Sequence, residues 1–293
     1  MTGRVVVVGS INADIITSVR ERPGGGRTVL ATDIVRRAGG KGANQAAAAA
    51  RAGAATILIA AVGDDAEAEV QLAELREDGV DVSRVRTVRG ASTGLALITV
   101  TPDGENSIIV AAGANAELTQ DHALAEIEGS DPAVVVLQTE VAIDLIEAVA
   151  RWCRSRGVRL LLNDGPVVAL GAETLAAADP LVVNEHEARE ICGDPSGLGT
   201  DDIVRRLAEV TGAPSVVVTL GGQGGRIIDR GVEYSVPAER APEVLDTTGA
   251  GDAFLGTLAA AIAEGEALRD AVRRATSAAA QSVSWIGARP PRR

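Results

Sequence analysis

The chain has 293 residues, 46% hydrophobic content and a formal net charge of −12. That length suits one large α/β domain or two small ones. The acidic balance disfavours nucleic-acid binding, because a phosphate backbone repels it. So does the scarcity of rings to stack on bases, since Phe254, Tyr234, Trp152 and Trp285 complete the aromatic set. No uninterrupted apolar run reaches the roughly 18 residues of a membrane span. The start shows no basic segment followed by a small-residue cleavage site, so no signal peptide is expected. Cys153 and Cys192 are the two cysteines. Both fall in apolar helical patterns, which suits reduced thiols and a cytoplasmic location.

In chain order, β-branched runs predict strands over residues 4–9, 56–62, 133–137, 159–162, 181–183 and 215–220. Ala-rich amphipathic stretches predict helices over 42–52, 66–77, 142–156, 201–211, 251–264 and 268–283. Apolar strands alternating with helices predict an α/β fold, with a mostly parallel sheet covered on both faces. Two segments break the alternation. Residues 28–37 read as a strand, and 93–101 with 106–111 read as a hairpin around Pro102-Asp103-Gly104-Glu105. They are either two surface hairpins or a small sheet projecting over a cleft.

The strongest chemical signal is Asp246-Thr247-Thr248-Gly249-Ala250-Gly251-Asp252, which runs into an apolar helix. Small residues before a helix let backbone N–H groups converge on an anion, and the helix terminus adds partial positive charge. Asp252 falls in the first turn, where a carboxylate can take a proton from an attacking hydroxyl. The plain alternative is an Asp that only caps the helix. A second run, Ala38-Gly39-Gly40-Lys41-Gly42-Ala43-Asn44-Gln45, also opens a helix. It is not a Walker loop, because Gly42 follows Lys41 where Ser or Thr is required. Lys41 and Asn44 offer donors to hydroxyls or phosphate, though a simple Gly-rich turn also fits.

Gly9-Ser10-Ile11-Asn12-Ala13-Asp14 ends the first strand, where ligands collect in open α/β sheets. Asn12 and Asp14 suit a vicinal diol, or else an Asx turn. Asn184-Glu185-His186-Glu187 ends another strand and offers a carboxylate for Mg²⁺ through water, or an acidic helix start. Thr219-Leu220-Gly221-Gly222-Gln223-Gly224-Gly225 permits backbone approach to a nucleotide, or a hairpin turn. It lacks the G-x-G-x-x-G dinucleotide spacing. His122 and His186 have no metal-ligand spacing, and His122 reads as a solvated helix residue.

These motifs, in this order, resemble the ribokinase (PfkB) family of carbohydrate kinases over nearly the whole chain. The pairing of Gly39-Gly40-Lys41-Gly42-Ala43-Asn44 with residues 246–252 carries the resemblance most specifically. The runs at 9–14, 40–45, 104–106 and 112–115 match the family's ribose-phosphorylating members. The resemblance implies a single ribokinase-like domain over 1–293, a three-layer sandwich with a small projecting β lid built from about 15–38 and 92–112. It implies transfer of phosphate from ATP to the 5-hydroxyl of D-ribose. Deoxyribose, a ketose or a nucleoside are alternative acceptors, and a non-catalytic sugar-binding regulator is the alternative of another class.

By the same resemblance, Asn12, Asp14, Gly40, Lys41, Asn44 and Glu140 contact the sugar, and Asp252 is the base. The backbone of Gly249, Ala250 and Gly251 forms the anion hole. Asn184 and Glu187 lie near the ATP phosphates and Mg²⁺. Thr219, Gly221, Gly224 and Gly251 lie along the nucleotide. Asp246, Thr248, Ser282 and Gly287 serve a monovalent cation, usually K⁺. The lid implies a homodimer. Three positions depart from the family pattern. Pro291 occupies the region where a Ser usually helps bind the cation, Thr276 replaces an Asn near adenine, and Arg27 replaces a Glu before the lid strand.

Overall fold

The computed structural model describes residues 3–102, 106–193, 197–241 and 243–290. Among these residues, nine strands form one sheet in the order β13-β12-β11-β10-β9-β8-β1-β4-β5. The inner strands are β1 (Val5–Val8), β4 (Thr56–Gly63), β8 (Val134–Gln138), β9 (Arg159–Asn163), β10 (Ala178–Asn184) and β11 (Ser215–Thr219). They pair in parallel, as does the edge strand β5 (Val85–Val88). At the other edge, β12 (Gly225–Asp229) and β13 (Val232–Val236) are antiparallel.

The valine runs explain why these strands sit in the middle. Alternate side chains of a strand point to opposite faces. Val5 and Val7 enter the core on one face, and Val6 and Val8 enter the core on the other. All four are 0% exposed. Each such burial is worth roughly 1.5–3 kcal/mol relative to exposure. One face is covered by α1 (Lys41–Arg51), α2 (Ala66–Glu77), α8 (Ala250–Ala263) and α9 (Leu268–Ser282). The other is covered by α3 (Gln120–Glu128), α4 (Ile143–Arg156), α5 (Ala172–Ala177), α6 (Glu185–Ile191) and α7 (Thr200–Thr211).

Helices α1 and α8 are in direct contact because both are built of small residues. A Cβ added at Gly256 would lie 2.4 Å from the Gln45 carbonyl oxygen and 2.5 Å from Ala48 Cβ. This approach brings the first turns of the two helices together, and both glycine motifs lie in or beside those turns.

A second sheet of four strands, in the order β3-β2-β6-β7, stands apart from the first. Its members are β2 (Asn12–Val19), β3 (Ala31–Gly39), β6 (Gly94–Val100) and β7 (Asn106–Ala111). The expected strand over 28–37 falls three residues later, at Ala31–Gly39. The resemblance put residues from about 15 into the lid, but periodicity did not predict strand β2, because its sequence NADIITSV mixes polar and apolar residues without a clean alternation. It pairs in parallel with β6 and antiparallel with β3. Residues 103–105 of the expected hairpin turn, and Pro291, lie outside the described residues. Helix α3 and the β12–β13 hairpin were also missed. No described helix is long and apolar enough to cross a membrane.

His122 corrects its expectation. It is half-buried, and its Nε2 is shut away from solvent without a hydrogen-bond partner. Cys153 is buried, and desolvation pushes its thiol up to about 12, so it is an inert core thiol.

Candidate active site

The strands β1, β8, β9, β10 and β11 all end at one rim of the parallel sheet, and the polar residues of the motifs collect there. Asp252 is the centre. It lies on the first turn of α8 and is 8% exposed. Asn44 Nδ2 donates to its Oδ2 at 3.0 Å, and Gln45 Nε2 donates to its Oδ1 at 3.0 Å. Gln138 Nε2 in turn donates to Gln45 Oε1 at 2.7 Å. The carboxylate is therefore gripped on both oxygens, in a fixed orientation at the mouth of the helix.

The turn before α8 is an anion cradle by construction. Gly249 caps the helix with φ 76°, a conformation that side chains other than glycine rarely tolerate. The Ala250 N–H bonds the Thr247 carbonyl at 3.2 Å and the Ala253 N–H bonds Gly249 at 2.8 Å. Gly251 and Asp252 sit between them with N–H groups that have no acceptor within the helix. A Cβ on Gly251 would meet nothing within 4 Å, so the space in front of it is open. Of the expected anion-hole residues, Ala250 therefore has its N–H already engaged, while Gly251 is free to face a ligand.

Two cavities meet at this turn. A small one of about 130 Å³ is lined by Lys41, Asn163, Asn184, Glu187, Gly249 and Asp252, among others. A larger one of about 570 Å³ is bounded by Gly221, Gly224, Val244, Ala250, Phe254 and Thr276. Thr219, Gly251 and Phe254 belong to both. The larger cavity has apolar walls and a glycine-edged rim, features common to small-molecule pockets. The Thr276 hydroxyl there donates to the Val272 carbonyl of its own helix at 2.9 Å.

Asn184 and Glu187 form a capping box on α6. The Glu187 N–H donates to Asn184 Oδ1 at 2.9 Å, and the Asn184 N–H donates to Glu187 Oε2 at 2.7 Å. The cap reading of this motif is thus present, and Glu187 also lines the small cavity. Burial pushes the Glu187 carboxyl up, against the Asn184 N–H and the Lys41 charge that pull it down. A dication beside it would offset that burial. No three Asp, Glu, His or Cys side chains converge as a metal cage among the described residues. Mg²⁺ here fits as an ion shared with ligand phosphates. Burial pulls the Lys41 ammonium down, but Asp252, Glu140 and Glu187 outweigh it and hold the ammonium above its ordinary value.

The residues assigned to the sugar gather beside Asp252, at the roots of β2 and β3. Asn12 is 3% exposed, and its Oδ1 accepts from Asn115 Nδ2 at 2.8 Å. Asn115 also accepts from the Ile11 N–H at 2.9 Å and fixes this corner. Glu140 accepts from Ser10 Oγ at 2.5 Å and from the Lys41 N–H at 3.1 Å. Gly40 holds φ 86° at the entry to α1. Burial, with Glu140 nearby, raises the Asp14 carboxyl to about 7, and Asp252 adds to the rise while Arg289 opposes it.

The residues assigned to the monovalent cation divide. Asp246 Oδ1 accepts from the Thr248 N–H at 2.9 Å, and its Oδ2 accepts from the Gly287 N–H at 2.8 Å. Burial works to raise this carboxyl, but those bonds outweigh it and hold it below the usual range, so it is ionised. An ionised carboxylate suits a cation, and both of its oxygens here also accept from backbone N–H groups. Ser282 does not join it through its side chain. Its hydroxyl is buried and donates to the Ala279 carbonyl at 2.9 Å, while the neighbouring Val283 carbonyl accepts from the Leu245 N–H at 2.8 Å.

Sequence reasoning assigned no role to Gln45, Gln138, Asn163 or Arg289. Gln45 was legible as the next residue after Asn44 in the same motif, and Gln138 as the residue two before Glu140. Arg289 Nε donates to Asn44 Oδ1 at 3.1 Å across 245 positions, and no local signal announces it.

A buried carboxylate at a helix mouth, an open glycine turn, an apolar cavity and a polar pocket thus meet at one rim of a doubly covered parallel sheet. A family model described as pfkB family carbohydrate kinase matches residues 2–293, and the chain belongs to that family. The chain is 36% identical over 285 residues to the ribokinase of Bacillus subtilis (strain 168), covering 97% of this chain and 94% of the relative. It is 33% identical over 290 residues to a deoxyribokinase of Salmonella typhi, covering 97% and 93%. Among solved structures, Arabidopsis thaliana ribokinase complexed with ribose and ATP superposes with a TM-score of 0.89 at 32% identity, covering 98% and 95%.

Proposed function

We propose that this chain transfers the γ-phosphoryl group of ATP to the 5-hydroxyl of D-ribose. The observation that carries the reading is the placement of Asp252, in the wall of the small cavity next to Gly251, which both cavities share, and held on both oxygens by Asn44 and Gln45. The sugar's 5-oxygen attacks the γ-phosphorus, the bond to the β,γ-bridging oxygen breaks, and ADP leaves. The hydroxyl proton passes to Asp252. Positioning and electrostatics carry most of such a transfer. The Gly251 and Asp252 N–H groups and the α8 dipole face the charge on the moving phosphoryl group. Glu187, with Asn184, would hold Mg²⁺, which supplies neutralisation of phosphate charge when bound. Asp246, with the Thr248 and Gly287 backbone, would hold K⁺ behind the cradle.

The four-stranded sheet acts as a lid over the sugar, and its apolar outer face is the contact of a homodimer. Ile34, Leu97 and Ile109 fall on one face of it by strand alternation and are 59%, 42% and 68% exposed. The Salmonella typhi relative favours 2-deoxyribose as the second acceptor. A coupled ADP-release assay over pentoses, hexoses and nucleosides, with and without K⁺, tests the reading. D-Ribose is expected to give the highest kcat/KM. Turnover of another acceptor with none of D-ribose would overturn the substrate while leaving the family in place.

A further inference from the structure

We infer that Arg289 is a positioning residue for phosphoryl transfer, acting through the Asn44 amide on the Asp252 carboxylate. The inference rests on Asp252 being the proton acceptor. Arg289 Nε lies 3.1 Å from Asn44 Oδ1. An arginine N–H can only donate, so it must face the amide oxygen, not the amide nitrogen. That leaves the Asn44 NH₂ group facing Asp252 Oδ2 at 3.0 Å. Without a donor at this point, the amide is free to turn and present its oxygen to the carboxylate, which repels it. Arg289 therefore sets which end of Asn44 the base meets.

The segment carrying Arg289 is tied to the cradle at two further points. The Gly287 N–H donates to Asp246 Oδ2 at 2.8 Å. Ala288 packs so closely on the turn that a Cβ at Gly249 would lie 2.4 Å from its Cα. One short segment thus braces the start of the glycine loop, its left-handed residue and the partner of the base.

A purely structural role accounts poorly for this arginine. Its side chain is 8% exposed, and Nη1 and Nη2 are buried with no hydrogen-bond partner among the described residues. Its counter-charges are Asp78, Glu74 (Oε2 at 4.0 Å from Nη1) and Asp14, none of them hydrogen-bonded to Nη1 or Nη2 among the described residues. A buried cation so held adds little to stability and can subtract from it. What it does supply is one donor at a defined place.

Two substitutions separate the donor from the bulk. Glutamine carries its amide nitrogen the same number of bonds from Cα as arginine carries Nε, and methionine carries a methyl group there. Arg289→Gln is expected to keep kcat within about threefold of the parent. Arg289→Met is expected to lower kcat about 10- to 100-fold, the scale of a misplaced reacting group. KM for ATP stays within about twofold and Tm is not lowered, as a role confined to position predicts. In an Asn44→Ala background, Arg289→Met is expected to cost less than about twofold more, because coupled residues do not add. Parent-like kcat in Arg289→Met, or losses that multiply with Asn44→Ala, overturns the inference. If the methionine variant does not fold, Arg289→Lys replaces it. Lysine keeps the charge but places a methylene at the Nε position, and full activity there refutes the role. Intact turnover in Asp252→Asn would instead refute the base, which is a separate failure.

Discussion

Gly256 gives the sharpest test of how the fold positions the chemistry. Replacing it with alanine places a Cβ 2.4 Å from the Gln45 carbonyl oxygen, 2.5 Å from Ala48 Cβ and 2.7 Å from Ala49 N. Ordinary contact begins at 3.4 Å, so α1 and α8 must part locally by about 1 Å. Asp252 lies one turn earlier on the same face of α8. The Asn44 and Gln45 bonds to it, both 3.0 Å, would stretch towards 4 Å, about the length at which they no longer count as bonds. Overpacking costs about 1–3 kcal/mol, and the better helix propensity of alanine returns about 1 kcal/mol. Net stability should fall by no more than about 2 kcal/mol. Turnover should fall far more, about 100-fold, because the base is displaced from the hydroxyl. Thermal denaturation and steady-state kinetics on one preparation separate the two effects. Parent-like kcat alongside a lowered Tm would show that the helix contact does not position the base.

Three further outcomes follow from the site. Asp252→Asn should lower kcat by about 10²- to 10⁴-fold, with sugar affinity by calorimetry little changed; near-normal turnover removes the assignment of the base. Asp14 ionises around pH 7 in the folded protein. Its folded value is raised, so its neutral form favours folding below about pH 4, and that contribution is lost as pH rises through 7. The charged form is the better acceptor for a sugar hydroxyl, so sugar kcat/KM should climb between pH 6 and pH 8, roughly, around the folded value. Asp14→Asn should flatten that climb and raise the apo Tm above pH 7, and an unchanged profile refutes both. Ile109, 68% exposed on β7, lies on the proposed dimer face. Ile109→Lys should yield monomers by light scattering, and an unaltered dimer would place the contact elsewhere.

Much of the layout was readable because it is local. Uninterrupted valine runs mark strands buried on both faces, and residues at their carboxyl ends are where a parallel sheet collects ligands. Asn12, Asn184 and Thr219 were picked out as candidates this way, and Glu140 by the family resemblance. What stayed hidden is set by distance in the chain. The approach of Asn44 to Asp252 spans 208 positions, and that of Arg289 to Asn44 spans 245. The Ala-rich run of α1 also conceals which face meets α8, because alanines look alike on every side until Gly256 is placed against them. Periodicity missed strand β2 for a related reason. Its polar residues, Asn12 and Asp14 among them, sit at the root where the small sheet meets the site, so the sequence obeys the ligand's needs there and not the strand's.

That root has a mechanical consequence. Strand β2 runs eight residues outward from Asn12, a reach of about 26 Å at the usual rise. A tilt of 10° at its base sweeps the far tip through roughly 4–5 Å over that reach. Asn12 and Asp14, the proposed sugar contacts, are thus set at the fulcrum of a long arm. A small tilt at that root would therefore be magnified, at the arm's end, to more than the width of a water molecule.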